Sequence, residues 1–186
     1  MKRSRDAIRT GLRRTLASLV VPAVLAGCAW LPPKPRHIEL TKPFDQDQAL
    51  LMLREGAGTI NGSALVLHPY GGAQNCAGYP VVLVPATAYA DERMAAAYGP
   101  GGQGIVWPPA PIFNPDVLAY QAASRTVTCG ARGDFKFDKV ADGSYYVVAA
   151  VPWRPLATSD TVQASIAQKV SLQGGKPLTI ELIGRP

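Results

Sequence analysis

Apolar and polar positions alternate along much of the chain after residue 58, and this alternation predicts β-strands. In the segment DFKFD, residues 134–138, phenylalanine alternates with charged residues, which is the pattern of a half-buried strand. Residues 144–151 form a longer apolar run, and we expect its odd-numbered side chains to share one face. Seven such strands with short turns predict an all-β fold, an antiparallel sandwich of two sheets. The other strand-like runs are 59–67, 80–85, 126–129, 162–172 and 178–183.

A short helix is predicted ahead of the first strand, in residues 45–56. Asp45 or Asp47 can cap its N-terminus, and Gly56 would end it. Residues 50–53 provide an apolar face, which we expect to pack against the first strand.

The tripeptide Arg132-Gly133-Asp134 lies between two predicted strands, although the same tripeptide is also a cell-attachment signal. Glycine provides the backbone freedom that a corner needs, and Asp134 can hydrogen-bond to its own backbone. We therefore interpret the tripeptide as the corner of a hairpin. Asp142-Gly143 is predicted to be a second tight turn.

Residues 90–124 interrupt the strand pattern as an insertion between the second and third predicted strands. Such connections normally take a few residues, and longer structured ones are often functional. We expect a helix over residues 91–98, then an extended segment rich in proline and aromatic residues. A second helix should begin at Asn114, which can cap it, with Pro115 at the first helical position.

The apolar content of this insertion indicates that it packs against something, and two interpretations stay open. It is either a lid over the second apolar face of the strand at 144–151, or a surface presented to a partner. In the second case Trp107, Phe113 and Tyr120 would anchor a protein or glycan partner, because aromatic side chains are favoured at interfaces. Trp153 could join that surface or simply end its strand.

The N-terminus has the pattern of a secretion signal, with six basic residues in 1–14 and a mostly apolar stretch of 13 residues in 15–27. That stretch is too short to span a bilayer as a helix. Leu25-Ala26-Gly27-Cys28 resembles a bacterial lipobox. The resemblance implies a signal peptide at 1–27 and lipidation of Cys28 with diacylglycerol and an amide-linked acyl chain such as palmitate. Ala29 implies sorting to the outer membrane, with the domain in the periplasm.

Residues 28–44 follow the signal peptide, and 29–44 carry four prolines without apolar periodicity. This composition predicts an extended tether that holds the domain away from the membrane. Residues 45–186 are then a single domain, since the chain after the signal peptide is of ordinary domain length.

The net charge changes once the signal peptide is set aside. Removing the six basic residues and one acid of residues 1–27 from the 19 and 13 of the whole chain leaves 13 and 12, so the net charge falls from +6 to +1. No clustered positive face remains, and this argues against a nucleic-acid partner.

Three cysteines are present, and lipidation of Cys28 leaves Cys76 and Cys129. An even pair in an oxidising envelope compartment predicts a disulfide, the alternative being two buried thiols. The chain's two histidines, His37 and His68, are scattered and add no metal-ligand spacing, so neither a metal nor another cofactor is predicted.

Catalytic motifs are not recognisable in the sequence, which predicts a protein without enzymatic activity. Asp91-Glu92 could be paired carboxylates, but the exposed first turn of a helix explains them better.

Three segments share a pattern of glycine and apolar positions: Gly58, Ile60 and Gly62; Gly78, Val81 and Leu83; and Gly133, Phe135, Phe137, Val140, Gly143 and Tyr145. The pattern resembles that of the carboxypeptidase regulatory-like domain, a transthyretin-like family, over about residues 57–183. The resemblance implies a seven-strand prealbumin-like sandwich, with residues 133–145 as a hairpin, and it implies no catalytic residues. Cys129 departs from the family, which often has Asp near this turn, and the departure fits a bridge to Cys76.

The expected function is therefore that of a non-catalytic outer-membrane lipoprotein, acting as a binding or scaffolding module in the periplasm. Two alternatives stay open: a glycan-binding module, and an accessory or assembly lipoprotein of an envelope or secretion machine. The expected partners are the membrane, through the anchor on Cys28, and a protein or glycan of the envelope.

Overall fold

The computed structural model describes residues 33–69, 71–154 and 161–185. The predicted signal peptide (1–27), the predicted lipidation site Cys28 and the first part of the predicted tether lie outside the described residues. Pro33–Pro186 forms one compact unit by itself.

The described part of the chain contains eleven strands and three α-helices. All seven predicted strands are present, together with four short strands that the sequence pattern did not indicate. The fold is therefore mostly β as predicted, but the count of seven strands is wrong. The bounds are β1 His37–Glu39, α1 Gln46–Met52, β2 Glu55–Leu67, β3 Ala73–Asn75, β4 Pro80–Pro85, α2 Ala88–Tyr98, β5 Gly104–Val106, β6 Ile112–Asn114, α3 Leu118–Ala122, β7 Arg125–Thr128, β8 Asp134–Val140, β9 Gly143–Trp153, β10 Val162–Leu172 and β11 Pro177–Gly184.

One sheet has five antiparallel strands in the order β5-β10-β9-β4-β7. β9 and β10 pair over their whole lengths, from Gly143 opposite Leu172 to Trp153 opposite Val162. β4 lies on the other side of β9 and carries β7 at the edge. β5, which comes from the insertion, extends the opposite edge by pairing with β10.

The second sheet is built around β2. β8 and β3 pair antiparallel with successive parts of one edge of β2, and β11 pairs with the other edge. The pairing of β11 with β2 is parallel, so the prediction of a purely antiparallel sandwich is wrong here. β10 and β11 belong to different sheets, so the chain crosses from one sheet to the other between them. β11 then lies beside β2, which comes much earlier in the chain. β1 and β6 form a separate parallel pair.

The two sheets pack face to face around an inner core. Tyr145, Val147, Ala149 and Val151 on β9 are fully buried and share one face, as the alternation predicted. They face apolar residues of the second sheet, which include Ile60 and Phe137. Burial of each large apolar side chain stabilises the fold by about 1.5–3 kcal/mol. All seven apolar positions of the family-like pattern are buried in this core: Ile60, Val81, Leu83, Phe135, Phe137, Val140 and Tyr145.

The two predicted hairpin corners are crossings between the sheets. β7 pairs with β4 in the five-stranded sheet, β8 pairs with β2 in the other, and β9 returns to the first. Gly133 does supply the left-handed backbone at the first corner, with φ of 84°. The hairpin prediction is nevertheless wrong, because alternation shows which side chains are buried but not whether the next strand lies beside its neighbour or across the core.

The second crossing is held by side chains. The Tyr145 hydroxyl donates to the carbonyls of Met52 (2.7 Å) and Ala141 (3.0 Å). The Asp142 carboxylate accepts hydrogen bonds from the backbone N–H groups of Gly174 (2.7 Å) and Gly175 (2.9 Å). This corner is thereby connected to the turn between β10 and β11.

The predicted disulfide between Cys76 and Cys129 is present, with the Cα atoms 5.7 Å apart. Cys76 follows β3 in one sheet, and Cys129 follows β7 in the other. The bond therefore joins the two sheets, and it closes a sequence separation of 53 residues. The chain-entropy model gives such a loop a stabilisation of about 4 kcal/mol.

Helix α1 begins as predicted and ends earlier. The Asp45 carboxylate accepts from the Gln48 N–H at 2.9 Å, so Asp45 is the cap. The helix ends at Met52, before Gly56, because residues from Glu55 onward belong to β2. The predicted apolar face is only partly correct: Leu50 and Leu51 are 48% and 56% exposed, whereas Met52 packs against the inner core and Ala49 is buried.

Residues 37–44 are part of the domain, so the predicted tether boundary at residue 44 is wrong. β1 pairs with β6, Leu40 is buried, and Phe44 packs against Tyr89 and Tyr120. We call residues 37–44 the N-terminal segment. The prolines around it concealed its short apolar pattern, whose packing partners lie in the insertion.

Glu92 fastens the N-terminal segment to α2. Its carboxylate accepts from the backbone N–H groups of Thr41 (3.0 Å) and Lys42 (2.8 Å) and from the Thr41 hydroxyl (2.7 Å). The hydrogen bonds from the Lys42 backbone and then the Thr41 hydroxyl lower the pKa of Glu92 below its ordinary value. Glu92 is thus a structural carboxylate.

Candidate functional site

The insertion covers the outer face of the five-stranded sheet. Tyr89, Ala90 and Met94 of α2 form a second core with Tyr146 and Ala167 of the sheet, which we call the outer core. The insertion is therefore a lid over the second face of β9, as in the first of the two interpretations.

Asp91 connects α2 to the sheet beneath it. Its carboxylate accepts from the Tyr146 hydroxyl (2.6 Å) and from the Lys169 ammonium (2.7 Å). Burial and this carboxylate raise the pKa of Tyr146, which keeps the hydroxyl protonated as a donor. Asp91 and Glu92 are thus both engaged in structural hydrogen bonds, in different directions.

The two helices of the insertion differ from the prediction at their starts. α2 begins three residues early, because the Thr87 hydroxyl caps it by accepting from the Ala90 N–H at 3.3 Å. α3 begins at Leu118, so Asn114 is not its cap. Asn114 instead ends β6, and its side-chain amide donates to Glu39 at 2.7 Å. The local pattern assigned Asn114 to the start of a helix, but Asn114 belongs to β6, which pairs with β1.

Phe113 and Tyr120, two of the three predicted anchors, lie together around Arg93. The Arg93 guanidinium is 3.9 Å from the centre of the Phe113 ring and 5.0 Å from that of Tyr120. Its Nη1 also donates to Asp116 at 2.9 Å. Tyr120 is only 8% exposed, and burial raises its pKa to about 12. Much of the surface of these aromatic rings is therefore used within the insertion.

A groove of about 490 Å³ lies between the insertion and the outer face of the sheet. Its floor includes Thr126, Val82 and Val148, which are directly in register across β7, β4 and β9. A hydrogen bond of 2.6 Å joins the hydroxyls of Tyr98 and Ser165 in its wall. The remaining lining residues are Val84, Arg93, Met94, Ala97, Val106, Ala110, Pro111, Phe113, Tyr120, Gln121 and Ser124. We call this space the insertion groove.

The sequence interpretation did not name Arg93, Met94, Ala97 or Tyr98 as site residues. Their spacing of one, three and four residues is that of a single helical face, and this signal could have found them. It was not specific, because the same spacing also describes a helix that packs on a core.

Trp107, the third predicted anchor, lies apart from the other two and packs against the inner core. Its ring centre is 5.1 Å from that of Trp153, in an edge-on arrangement. Trp153 in turn stacks on His68, with ring centres 4.1 Å apart and planes at 19°. Three distant chain segments thus bring aromatic rings together where β2 and β9 end. We call His68, Trp107, Trp153 and the nearby Tyr79 the aromatic end.

A depression of about 430 Å³ opens beside the aromatic end. Trp153 and Tyr79 supply aromatic surface, while Gln74, Arg154 and Thr161 supply hydrogen-bonding groups; Pro152 completes the lining. No sequence signal pointed to Gln74, Arg154 or Thr161, because the pairing of β9 with β10 and the packing of β3 near β9 across the sandwich bring their segments together.

The described residues contain neither a metal site nor a membrane-spanning helix. Among residues 33–69, 71–154 and 161–185, no group of histidine, cysteine or acidic side chains is arranged to hold a metal ion. The same ranges contain no helix that is both long and apolar enough to cross a bilayer.

No family model matches the chain, and no curated protein matches it either. Among solved structures, the fold is similar to that of a "putative carbohydrate binding protein" from Pseudomonas aeruginosa. The two are 23% identical, the TM-score is 0.60, and the alignment covers 77% of this chain and 99% of the other. At this level of identity the similarity concerns the fold alone, and membership of the carboxypeptidase regulatory-like family stays a prediction.

Proposed function

We propose that the protein is a non-catalytic, saccharide-binding lipoprotein of a bacterial envelope and that it binds its ligand at the aromatic end. The observation that carries the proposal is the depression in which Trp153 and Tyr79 lie beside Gln74, Arg154 and Thr161. Ends of β-sandwiches are common positions for binding, because loops from distant strands meet there on a rigid support.

The chemistry of the depression suits a sugar. A pyranose ring has an apolar face of C–H groups, which packs on an aromatic ring, and hydroxyls around its edge. Gln74 and Thr161 offer donors and acceptors to those hydroxyls, and Arg154 offers a planar set of donors. His68 stacks against Trp153 and holds its ring, so less side-chain entropy is lost on binding.

The solved structure with the same fold supports this choice among the binding functions, because its name assigns carbohydrate binding to that protein. The support is that of a shared fold, and a fold by itself does not imply a function. The side chains of the depression therefore remain the main argument.

A glycan array with the oxidised unit 33–186 tests the proposal. We expect retention of at least one saccharide, and a loss of affinity of about tenfold in Arg154→Gln, since one charged hydrogen bond contributes about 1.5 kcal/mol or more. Arg132→Gln is the matched control, because Arg132 is also an exposed arginine outside the strands and does not line the depression. Absence of any retained saccharide, or equal losses in both variants, would refute it.

The lipid anchor is part of the proposal and rests on the Leu25-Ala26-Gly27-Cys28 motif. Labelling of cells with palmitate should mark the wild-type protein and leave Cys28→Ser unmarked. Separation of the two membranes on a density gradient then tests sorting to the outer membrane. Label that persists in Cys28→Ser would place the modification elsewhere.

A second candidate function is attachment to an envelope protein, as in an assembly lipoprotein. It is favoured by Leu118 on the insertion, which is 78% exposed. Photo-crosslinking in the envelope from a probe at Leu118 tests it. The control is a probe at Lys176, which is exposed between β10 and β11, outside the insertion. Trp107, although predicted as a partner anchor, is a poorer probe position, because its side chain is half-buried against the inner core. A protein adduct specific to position 118 would support this function, and equal labelling from both positions would argue against it.

A further inference from the structure

The insertion groove differs in chemistry from the aromatic end. Its floor carries the methyl groups of Val82, Val84 and Val148, and its wall carries Met94 and Ala97. The volume of about 490 Å³ is within the range of sites for small molecules, which are mostly apolar with a few placed polar groups. Saccharide hydroxyls would lose hydration against such a floor without gaining hydrogen bonds, so the occupant should have an apolar body.

Arg93 is the one cation among the described residues that line this groove. The Arg93 side chain is only 15% exposed and stacks on Phe113. Within the described residues, both hydrogen bonds that Arg93 donates, to Asp116 and to the Tyr89 hydroxyl, use Nη1. Its Nε and Nη2 donors therefore have no described protein partner. A partly buried guanidinium beside apolar surface favours an anionic group.

Arg93 already forms an ion pair with one carboxylate, which contacts only the Nη1 end of the guanidinium. Asp116 touches one edge of the guanidinium, and its side chain is 45% exposed. The Asp116 carboxylate also accepts from the Gln121 amide at 3.5 Å. An anionic ligand would share Arg93 with Asp116, and the Asp116 carboxylate should weaken its binding by like-charge repulsion.

We propose that the insertion groove is a second binding site, which takes a small amphipathic anion. The apolar body lies on Val82 and Val148, and the carboxylate, sulfonate or phosphate group meets the Nε and Nη2 side of Arg93. The site is separate from the aromatic end and does not depend on saccharide binding there.

The test uses two related dyes on the oxidised unit 33–186. 8-Anilinonaphthalene-1-sulfonate has an apolar body and an anionic group, and N-phenyl-1-naphthylamine has nearly the same body without the charge. We expect saturable fluorescence with one site for the anionic dye. Arg93→Gln should weaken the anionic dye about tenfold and the neutral dye less than twofold.

Asp116→Asn is the complementary variant, because it removes the negative charge of the ion pair and leaves the Arg93 guanidinium in place. It should strengthen binding of the anionic dye several-fold, since it removes the competing carboxylate. If both variants weaken the anionic dye equally, the ion pair only shapes the groove, and the assignment of Arg93 to an anion is overturned.

The location is tested by filling the groove. Ala97→Phe places a ring into the lining and should abolish binding of both dyes. Ala95→Phe is the matched control, because Ala95 is exposed on the same helix and does not line the groove. Each variant must unfold cooperatively in urea, since these dyes also bind partly folded chains. Binding that survives Ala97→Phe, or no saturable binding at all, would refute the site.

Discussion

The two faces of the five-stranded sheet are closed in different ways. The inner face packs on strands that lie far apart in sequence, and the disulfide joins the two sheets. The outer face is covered by the insertion and the N-terminal segment, and charged side chains fasten them. Tyr145 and Tyr146, adjacent on β9, illustrate the contrast: one hydroxyl donates to backbone carbonyls, the other to the Asp91 carboxylate.

The contrast assigns different roles to the two faces: the inner face mainly stabilises the fold, and the outer face leaves space for a ligand. The inner face is closed mainly by apolar packing between the two sheets, whereas the cover that Asp91 and Glu92 fasten touches the outer face only in part. The insertion groove lies in the remaining space. We therefore expect inner-face changes to unfold the domain and outer-face changes to act locally.

The largest expected effect comes from truncation in the two cores. Phe137→Ala should lower the free energy of unfolding by about 3–5 kcal/mol, because it leaves a cavity in a closed core. Met94→Ala should cost about 2 kcal/mol, since Met94 borders a groove and its removal only widens existing space. Urea denaturation measures both. Equal costs would mean that the outer core is packed as completely as the inner one.

The disulfide comes next. Cys76→Ser with Cys129→Ser should lower the free energy of unfolding by about 2–4 kcal/mol, because the unfolded chain regains the freedom of the long loop. Dye binding in the insertion groove should persist in the folded fraction, since neither cysteine lines it. The paired measurement is urea denaturation and dye titration, and a loss of binding without a loss of stability would contradict the separation of the two faces.

A smaller effect is expected from the adjacent tyrosines. Tyr145→Phe should cost about 1 kcal/mol, the ordinary contribution of a neutral hydrogen bond, and Tyr146→Phe about 1.5 kcal/mol, because its acceptor is a carboxylate. Hydrogen exchange distinguishes them. Amides near Met52 and Ala141 should lose protection in the first variant, and those of α2 in the second. Loss of protection throughout β2 in Tyr146→Phe would show that the two faces are not independent.

The smallest effect is a pH dependence at Glu92. Its folded-state pKa lies below the ordinary value of 4.5, so its contribution is complete above about pH 4.5 and is lost as the pH falls through the lowered pKa. Exchange of the Thr41 and Lys42 amides should therefore rise at acidic pH relative to other amides. Glu92→Gln is the control, and in it this extra rise should be absent. An unchanged rise in that variant would assign the effect to another carboxylate.

The sequence determined much of the inner face. Alternation in residues 134–138 identified the buried side chains correctly, because burial on one side of a strand imposes a period of two. In the apolar run 144–151, strand geometry correctly assigned the odd-numbered side chains to one buried face. The count of cysteines, with the lipobox, gave the disulfide before any contact was known. These features depend either on a short stretch of sequence or on the number of cysteines.

The tertiary structure decided the features that depend on contacts between residues far apart along the chain. Whether β8 and β9 pair as a hairpin or face each other across the core depends on contacts with β2 and β10, which lie far along the chain. For the same reason Trp107 joins His68 and Trp153, while Phe113 and Tyr120 surround Arg93. The sequence identified these aromatic residues as notable, but long-range packing divided them between two sites.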